Sequence, residues 1–587
     1  MGKLRTRWFD SARSDMPLSD YPRPQFVRSE WQCLNGEYNY AITSTDSDCP
    51  QSFHGKILVP FSIESQLSGV ERNLSPDELL WYRRSFTVDA AWAGRRILLH
   101  FGAVDWKCTV FINGKSVGNH VGGYNPFSFD ITDFLQQGEN DLVVKVYDPT
   151  DKGWQQRGKQ VLEPHGFWYT ATSGIWQTVW LEPVNEKRIE VIKLLPDIDN
   201  RCINIESILT CEEGCRLIAK IYDGENTVFS GEISTNQPVP IQDMKLWSPE
   251  DPFLYDLVLE LYCSDVLCDT VNSYFGMRKY SIGNDDEGLP RLFLNNEPYF
   301  YCGLLDQGYW CDGGLTPPTD DAMAYDIRMM KDFGFNMLRK HIKVEPQRWY
   351  YHCDKIGMIV WQDMVSGGEY IGTFLAGVLP NIGIKVKDNA YKKFKRGEKH
   401  WRDCFEEELF GMIDNLYNST SIGCWVPFNE GWGQFDAKRI SSKIKEFDSS
   451  RLVDHASGWY DQGGGDFKSV HKYILKVRKP KADKRPFVLS EFGGYSNIVQ
   501  NHVWNKAKSF GYKMYNDKFS LTRAYERLMK KQIIPLVKKG LSATVYTQVS
   551  DVELEVNGLL TYDRDVVKID EKVVKDLNEE LKSELKK

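Results

Sequence analysis

The chain has 587 residues, too many for a single hydrophobic core, and its composition, 42% hydrophobic and 26% charged, is that of ordinary globular domains. A formal net charge of −8 argues against a nucleic-acid-binding surface, and no apolar run is long enough to span a bilayer. The 13 cysteines show neither CxxC nor His-x-His spacing, so neither a disulfide framework nor a zinc site is expected.

Met1 to Trp8 lacks the apolar stretch of a signal peptide, which makes the cytoplasm the expected location. Residues 1–184 read as all-β. Alternating segments recur at Trp81 to Val88, Arg96 to Phe101 and Lys107 to Ile112, and Asn113-Gly114 after the last is a hairpin signal. Spaced strands of this kind predict a β-sandwich or jelly roll. The polar, aromatic stretch Asp148 to Tyr169, with Trp154, His165 and Trp168, is long for a connection and so reads as functional. Residues 185–283 keep a weaker alternation, as in Arg216 to Tyr222 and Leu254 to Leu261, and predict an immunoglobulin-like sandwich.

From residue 284 the rhythm changes to strand, helix, strand. Thr319 is placed to cap a helix through Asp332, and Gln347 to Lys355 predicts another, stopped by Gly357. Strands are expected near 300, 337, 359, 424, 453, 470, 488 and 545, and eight such units close into a (β/α)8 barrel over 284–587. The tail from Val573 to Lys587 reads as an amphipathic helix or a frayed end. Basic runs at Lys385 to Lys399 and Lys472 to Arg485 read first as solvated faces, with contact to an acidic substrate as the alternative.

Two barrel strands end in a way that carries chemistry. Gly423-Cys424-Trp425-Val426-Pro427-Phe428 runs into Asn429-Glu430-Gly431-Trp432, and Pro486-Phe487-Val488-Leu489-Ser490 runs into Glu491-Phe492-Gly493-Gly494. Catalytic groups of such barrels sit at the carboxyl ends of strands, and two carboxylates ringed by aromatic side chains are what glycoside cleavage requires. Trp425 and Trp432 are expected to desolvate Glu430, and the Asn429 amide to reach a sugar 2-hydroxyl. Other strand ends supply Asp306, Gln307 and Trp310, then Arg339 and His341, then Trp361 and Asp363. Further along come Asp454, His455 and Trp459, then His471 and Tyr473, and finally Tyr546 and Gln548.

These motifs resemble glycoside hydrolase family 2, the β-galactosidases, β-glucuronidases and β-mannosidases. The likeness rests on Trp81 to Val88, Phe111-Ile112-Asn113-Gly114, Ser173-Gly174-Ile175-Trp176-Gln177, Phe275-Gly276-Met277-Arg278 and both glutamate motifs. It implies a jelly-roll domain, an immunoglobulin-like domain and a barrel. It also implies that Glu430 is the general acid/base, that Glu491 is the nucleophile bonded by Tyr473, that Arg339 lies near that nucleophile, and that Asp148 reaches a sugar hydroxyl. His341 stands one place nearer Arg339 than the family's histidine. Asn557-Gly558-Leu559 lacks the lysine of the glucuronidase Asn-x-Lys, and the eighth strand carries Val545-Tyr546-Thr547-Gln548 where better-known members have tryptophan.

The resemblance implies a retaining exo-glycosidase, first of all a β-galactosidase, with β-glucuronidase, α-L-arabinofuranosidase and β-mannosidase as alternatives. A non-catalytic carbohydrate-binding protein is the reading from another class. The ligands of the magnesium-dependent β-galactosidases are not found, so no cofactor and no metal are expected. The partners expected are a glycoside or oligosaccharide and, at most, further copies of the chain in a homo-oligomer.

Overall fold

The computed structural model describes residues 3–372, 374–381, 384–473, 475–481 and 483–586. Met1, Gly2 and Lys587 of the terminal stretches, and Ile474 and Ala482 of the second basic run, lie outside the described residues.

Alternating burial drives the first two units into sandwiches. In the first, a six-stranded antiparallel sheet runs Gly55–Val59, Gly36–Ser44, Glu78–Thr87, Glu139–Tyr147, Lys107–Ile112, Lys115–Val121. It packs on a four-stranded sheet, Gln32–Cys33, Val179–Val184, Arg96–Phe101, Phe127–Asp130. Ile57, Leu80, Tyr82, Leu99, Val110, Val144 and Leu181 fill the space between them. Asn113 (φ 51°) and Gly114 (φ 77°) make the expected hairpin turn, whose left-handed residues match the strand twist.

The second unit pairs a three-stranded sheet with a four-stranded one, seven strands in all, as in an immunoglobulin-like sandwich. No disulfide framework is expected from the sequence, yet Cys215 and Cys263 stand opposite each other in register and are joined by a disulfide.

The third unit is an eight-stranded parallel barrel. Its strands are β1 (Tyr301–Asp306), β2 (Met337–Lys340), β3 (Ile359–Asp363), β4 (Ile422–Val426), β5 (Leu452–Val453), β6 (Lys468–Lys472), β7 (Phe487–Gly493) and β8 (Leu541–Thr547). They lie in sequential order, and all eight fall where the sequence predicts them. The β5/β6 seam is tied by side chains: Ser469 Oγ donates to Asp454 (2.9 Å), and Asp466 accepts from Val453 N (2.7 Å).

Alternation along each strand sorts side chains between the barrel interior and the surrounding helices. Trp361 points inward and stacks on Phe467 (5.1 Å), while Trp425 points outward and donates to Asp448 (2.8 Å). Thr319 caps helix Asp320–Asp332 by accepting from Ala322 N, and Gly357 (φ 82°) stops helix Gln347–Ile356. The C-terminal helix Glu571–Ser583 is docked rather than frayed, with Val574, Leu577 and Leu581 buried in the outer core between barrel and helices. Arg396 departs from its basic run by being wholly buried over the Phe405 ring. Among the described residues no helix is long and apolar enough to cross a membrane.

The first sandwich is locked on the barrel by buried polar groups. Glu553, after β8, accepts from Thr170 N (2.8 Å), and burial pushes its carboxyl up to about 7. A raised acid is neutral in the folded chain, so its stability contribution is present below the unfolded value of about 4.3 and is lost as pH rises through 7. The apparent melting temperature should therefore fall from pH 5 to pH 8. Glu553→Gln should stabilise the chain at pH 8 and leave it unchanged at pH 5, as scanning calorimetry at both values would show.

Candidate active site

A cleft of about 500 Å³ opens at the carboxyl ends of the barrel strands. Beyond β4 the chain passes Pro427 and Phe428, and Asn429 and Ser457 form a bridge that turns it inward. Glu430 then adopts φ 51°, a left-handed conformation costly for a residue with a Cβ, and its amide donates to Ser457 O (3.0 Å). Strain is held where the carboxylate must enter the cleft. On β7, Gly493 (φ 86°) follows Glu491 at a place where a Cβ would stand 2.2 Å from the Tyr546 ring, so glycine is required there.

The two carboxylates meet. Tyr473 Oη donates to Glu491 Oε2 and lies 3.2 Å from Glu430 Oε1. Oxygens of Glu430 and Glu491 and a nitrogen of His471 all lie within 4.8 Å of one another. His471 Nδ1 is 2.8 Å from Glu430, and its Nε2 is 3.1 Å from Ser457 Oγ.

Arg339 is wholly buried beneath them. Its fork donates to Asp363 through Nε (2.9 Å) and Nη2 (3.0 Å), and to Glu491 Oε1 through Nη1 (3.1 Å). Nη2 also donates to Asn429 Oδ1 (2.9 Å), which orients that amide and leaves its Nδ2 as the donor toward the cleft.

The electrostatics separate the pair. Burial alone would push the Glu491 carboxyl up. His471, His341 and the Arg339 guanidinium beside it, together with the Tyr473 hydroxyl, hold it well below the usual carboxylate range. Arg339 carries its charge at every working pH: burial disfavours it, and Asp363 and Glu491 more than compensate. Tyr473 keeps its proton, because burial and both glutamates raise its pKa well above the usual value.

Of the residues singled out in the sequence, Asn429, Glu430, Glu491, His341, Trp459, His471, Tyr473 and Gln307 line the cleft. Arg339 and Asp363 act from below it, and His341 Nδ1 is 2.7 Å from Asp363. Others are not brought there. Asp306 is buried against Lys340 (2.6 Å), Trp361 lies within the barrel core, and Tyr546 packs on Phe492 and Tyr525. Gln548 is tied to Gln307 and Asn557, and Asp148 accepts from Thr150 N (2.8 Å) and Ser173 Oγ (2.7 Å) inside the sandwich. Trp425 does not desolvate Glu430, since strand alternation turns it to the outer core; Trp432 does line the cleft.

The sequence reading passed over Lys159, Phe167, Tyr512, Thr547 and Glu555, all of which line the cleft. Only the aromatic density of the 148–169 stretch signalled the first two.

Among the described residues, two clusters offer three possible metal ligands: Glu430, His471 and Glu491, and His502, Asp563 and Asp565. In the first, both ring nitrogens of His471 are already engaged by Glu430 and Ser457.

Known proteins share this architecture. Residues 31–183 match the sugar binding domain of glycosyl hydrolases family 2, residues 208–278 its following domain, and residues 318–577 its TIM barrel domain. A β-galactosidase from Priestia megaterium is 24% identical over 527 residues, 84% of this chain and 47% of that protein. The chain spans about half the length of the curated relatives it matches. A β-glucuronidase of Ruminococcus gnavus has the same fold (TM-score 0.77, 17% identity, 94% of this chain and 98% of that one). So does a β-galacturonidase from Eisenbergiella tayi (TM-score 0.70, 18% identity, 95% and 99%).

Arg339→Met would leave Asp363 and Glu491 facing each other without their cation. Breaking a buried pair in this way should cost about 3–5 kcal/mol in urea unfolding. Adding Asp363→Asn should restore part of that loss, because it removes one of the two stranded charges.

Proposed function

The chain belongs to glycosyl hydrolases family 2, and on that premise we propose that it is a retaining exo-glycosidase acting by double displacement. The observation that carries this reading is the approach of Glu430 and Glu491 around one tyrosine hydroxyl at the base of the cleft. Retaining enzymes hold their carboxyl groups roughly 5–5.5 Å apart, whereas inverting ones leave about 6.5–9.5 Å for a water. One oxygen of each glutamate lies within 4.8 Å of the other, and a single Tyr473 hydroxyl reaches both carboxylates, a closeness that supports the retaining reading.

In this mechanism Glu491, ionised and steered by Arg339 and Tyr473, attacks the anomeric carbon. Glu430, a quarter exposed and bonded to His471, gives its proton to the departing oxygen and then takes one from the attacking water. Asn429 Nδ2 donates to the sugar 2-hydroxyl as charge develops on the ring. Phe167 and Trp168, from the first sandwich, wall the cleft with Trp432 and Trp459, which favours a terminal sugar over an internal one. A β-galactoside is the first substrate to assay, in keeping with the activity named for the Priestia megaterium relative.

A panel of p-nitrophenyl glycosides tests the reading. Glu491→Ala should abolish turnover, and azide should restore it with inverted product. Glu430→Ala should lose about 10²–10⁴-fold on poor leaving groups and far less on activated aryl glycosides. Equal losses on both substrate types would overturn the assignment, and no turnover of any sugar would favour a binding protein.

The low pKa of Glu491 keeps the nucleophile ionised below the ordinary glutamate value of about 4.3, so the acid limb of kcat/KM should lie below that pH. Tyr473→Phe removes a donor to the carboxylate. It should move that limb upward and lower kcat.

A further inference from the structure

Lys159 belongs to the first sandwich, yet it lines the barrel cleft. Its backbone is anchored on both sides. Arg157 N and Gly158 N donate to Ser366 O (3.0 and 2.9 Å), and Tyr169 N donates to Lys159 O (2.9 Å). Gln160 Nε2 donates to Asp105 (2.9 Å) and Tyr124 (2.8 Å), while its Oε1 accepts from Thr172 N (2.6 Å). Gly158 (φ 61°) lets the loop press on the barrel, since a Cβ there would lie 2.7 Å from Ile342 O.

The ammonium so placed faces two aromatic rings. It lies 5.8 Å from the Phe167 ring centre and 5.6 Å from that of Tyr169. Among the described residues no carboxylate lies within 4.0 Å of it. Glu555, across the cleft wall, is committed to Tyr169 Oη and Asn557 Nδ2 (2.9 Å). Two buried lysines nearby behave differently. Lys340 is neutralised by Asp306 (2.6 Å) and Glu345 (2.8 Å), and Lys343 by Glu345 (2.8 Å) and two carbonyls. Aromatic faces attract a cation but do not neutralise it, so the ammonium keeps its capacity to pair with an anion. Its charge reaches His341 and Asp363, so it stands over the end of the cleft where Arg339 orders the floor.

We propose that Lys159 is a specificity-determining residue whose ammonium takes an anionic substituent, a carboxylate or a sulfate, on the sugar bound in the cleft. The proposal rests on the glycosidase reading for its substrate and on the Lys159 ammonium for its selectivity.

The test compares wild type, Lys159→Met and Lys159→Arg on p-nitrophenyl β-galactoside, β-glucuronide, β-galacturonide and 6-sulfo-β-galactoside. Wild type should prefer one of the anionic substrates, and which one separates carboxylate from sulfate. Lys159→Met should lower the anionic-to-neutral ratio of kcat/KM at least about 30-fold, with the neutral substrate changed less than about threefold, and Lys159→Arg should keep most of the preference. Preference for the neutral sugar, equal losses on both classes, or a preference abolished by Lys472→Met in place of Lys159→Met would each overturn the proposal.

Calorimetry on Glu491→Gln protein with galacturonate, glucuronate, galactose 6-sulfate and galactose separates the two readings. If wild type turns over nothing but acidic sugars bind in a Lys159-dependent way, the hydrolase reading falls and this one stands. Absence of both turnover and binding overturns both.

Discussion

The site depends on one guanidinium. Arg339 reaches from the end of β2 to Asp363 on β3, Asn429 beyond β4 and Glu491 on β7, so a single planar fork ties four positions around the barrel mouth. Arginine suits this task because its donors are fixed in one plane and its charge survives burial. A charge with no exposure to water is tolerable only when each donor finds an oxygen, and here Ser490 O takes a further contact at 3.1 Å. The arrangement makes one carboxylate an obligate anion and orients the neighbouring amide.

The second glutamate is treated differently. Glu430 is more exposed, stands on a strained backbone and is bonded to His471 and Tyr473 rather than to arginine. Tyr473 touches both carboxylates, and His471 bridges Glu430 to Ser457 and the floor of the site. Two chemically identical side chains a few ångströms apart thereby receive unlike surroundings, which is the requirement for one to donate a proton while the other attacks.

The sandwich adds what the barrel lacks. Its loop between Asp148 and Tyr169 brings Lys159, Phe167 and Trp168 over the strand ends, fastened by Ser366 O beneath it and by Glu553 and Glu555 from the barrel side. The jelly-roll unit therefore contributes to the shape and charge of the cleft directly.

Periodicity was enough to place all eight barrel strands, the cap at Thr319 and the two glutamates at strand ends, because burial on both faces writes an apolar run and its end writes a polar break. Which face a given side chain takes depends on strand register and on the bulges in β3 and β7, and those are set by neighbouring strands. Hence Trp361 and Trp425, alike in sequence context, went to the barrel interior and the outer core, and Tyr546 and Asp306 were drawn into packing. Lys159 was signalled only by the aromatic stretch around it, not by any pattern of its own. Its place over the cleft follows from contacts between residues some two hundred positions apart, which only the docking of sandwich on barrel creates.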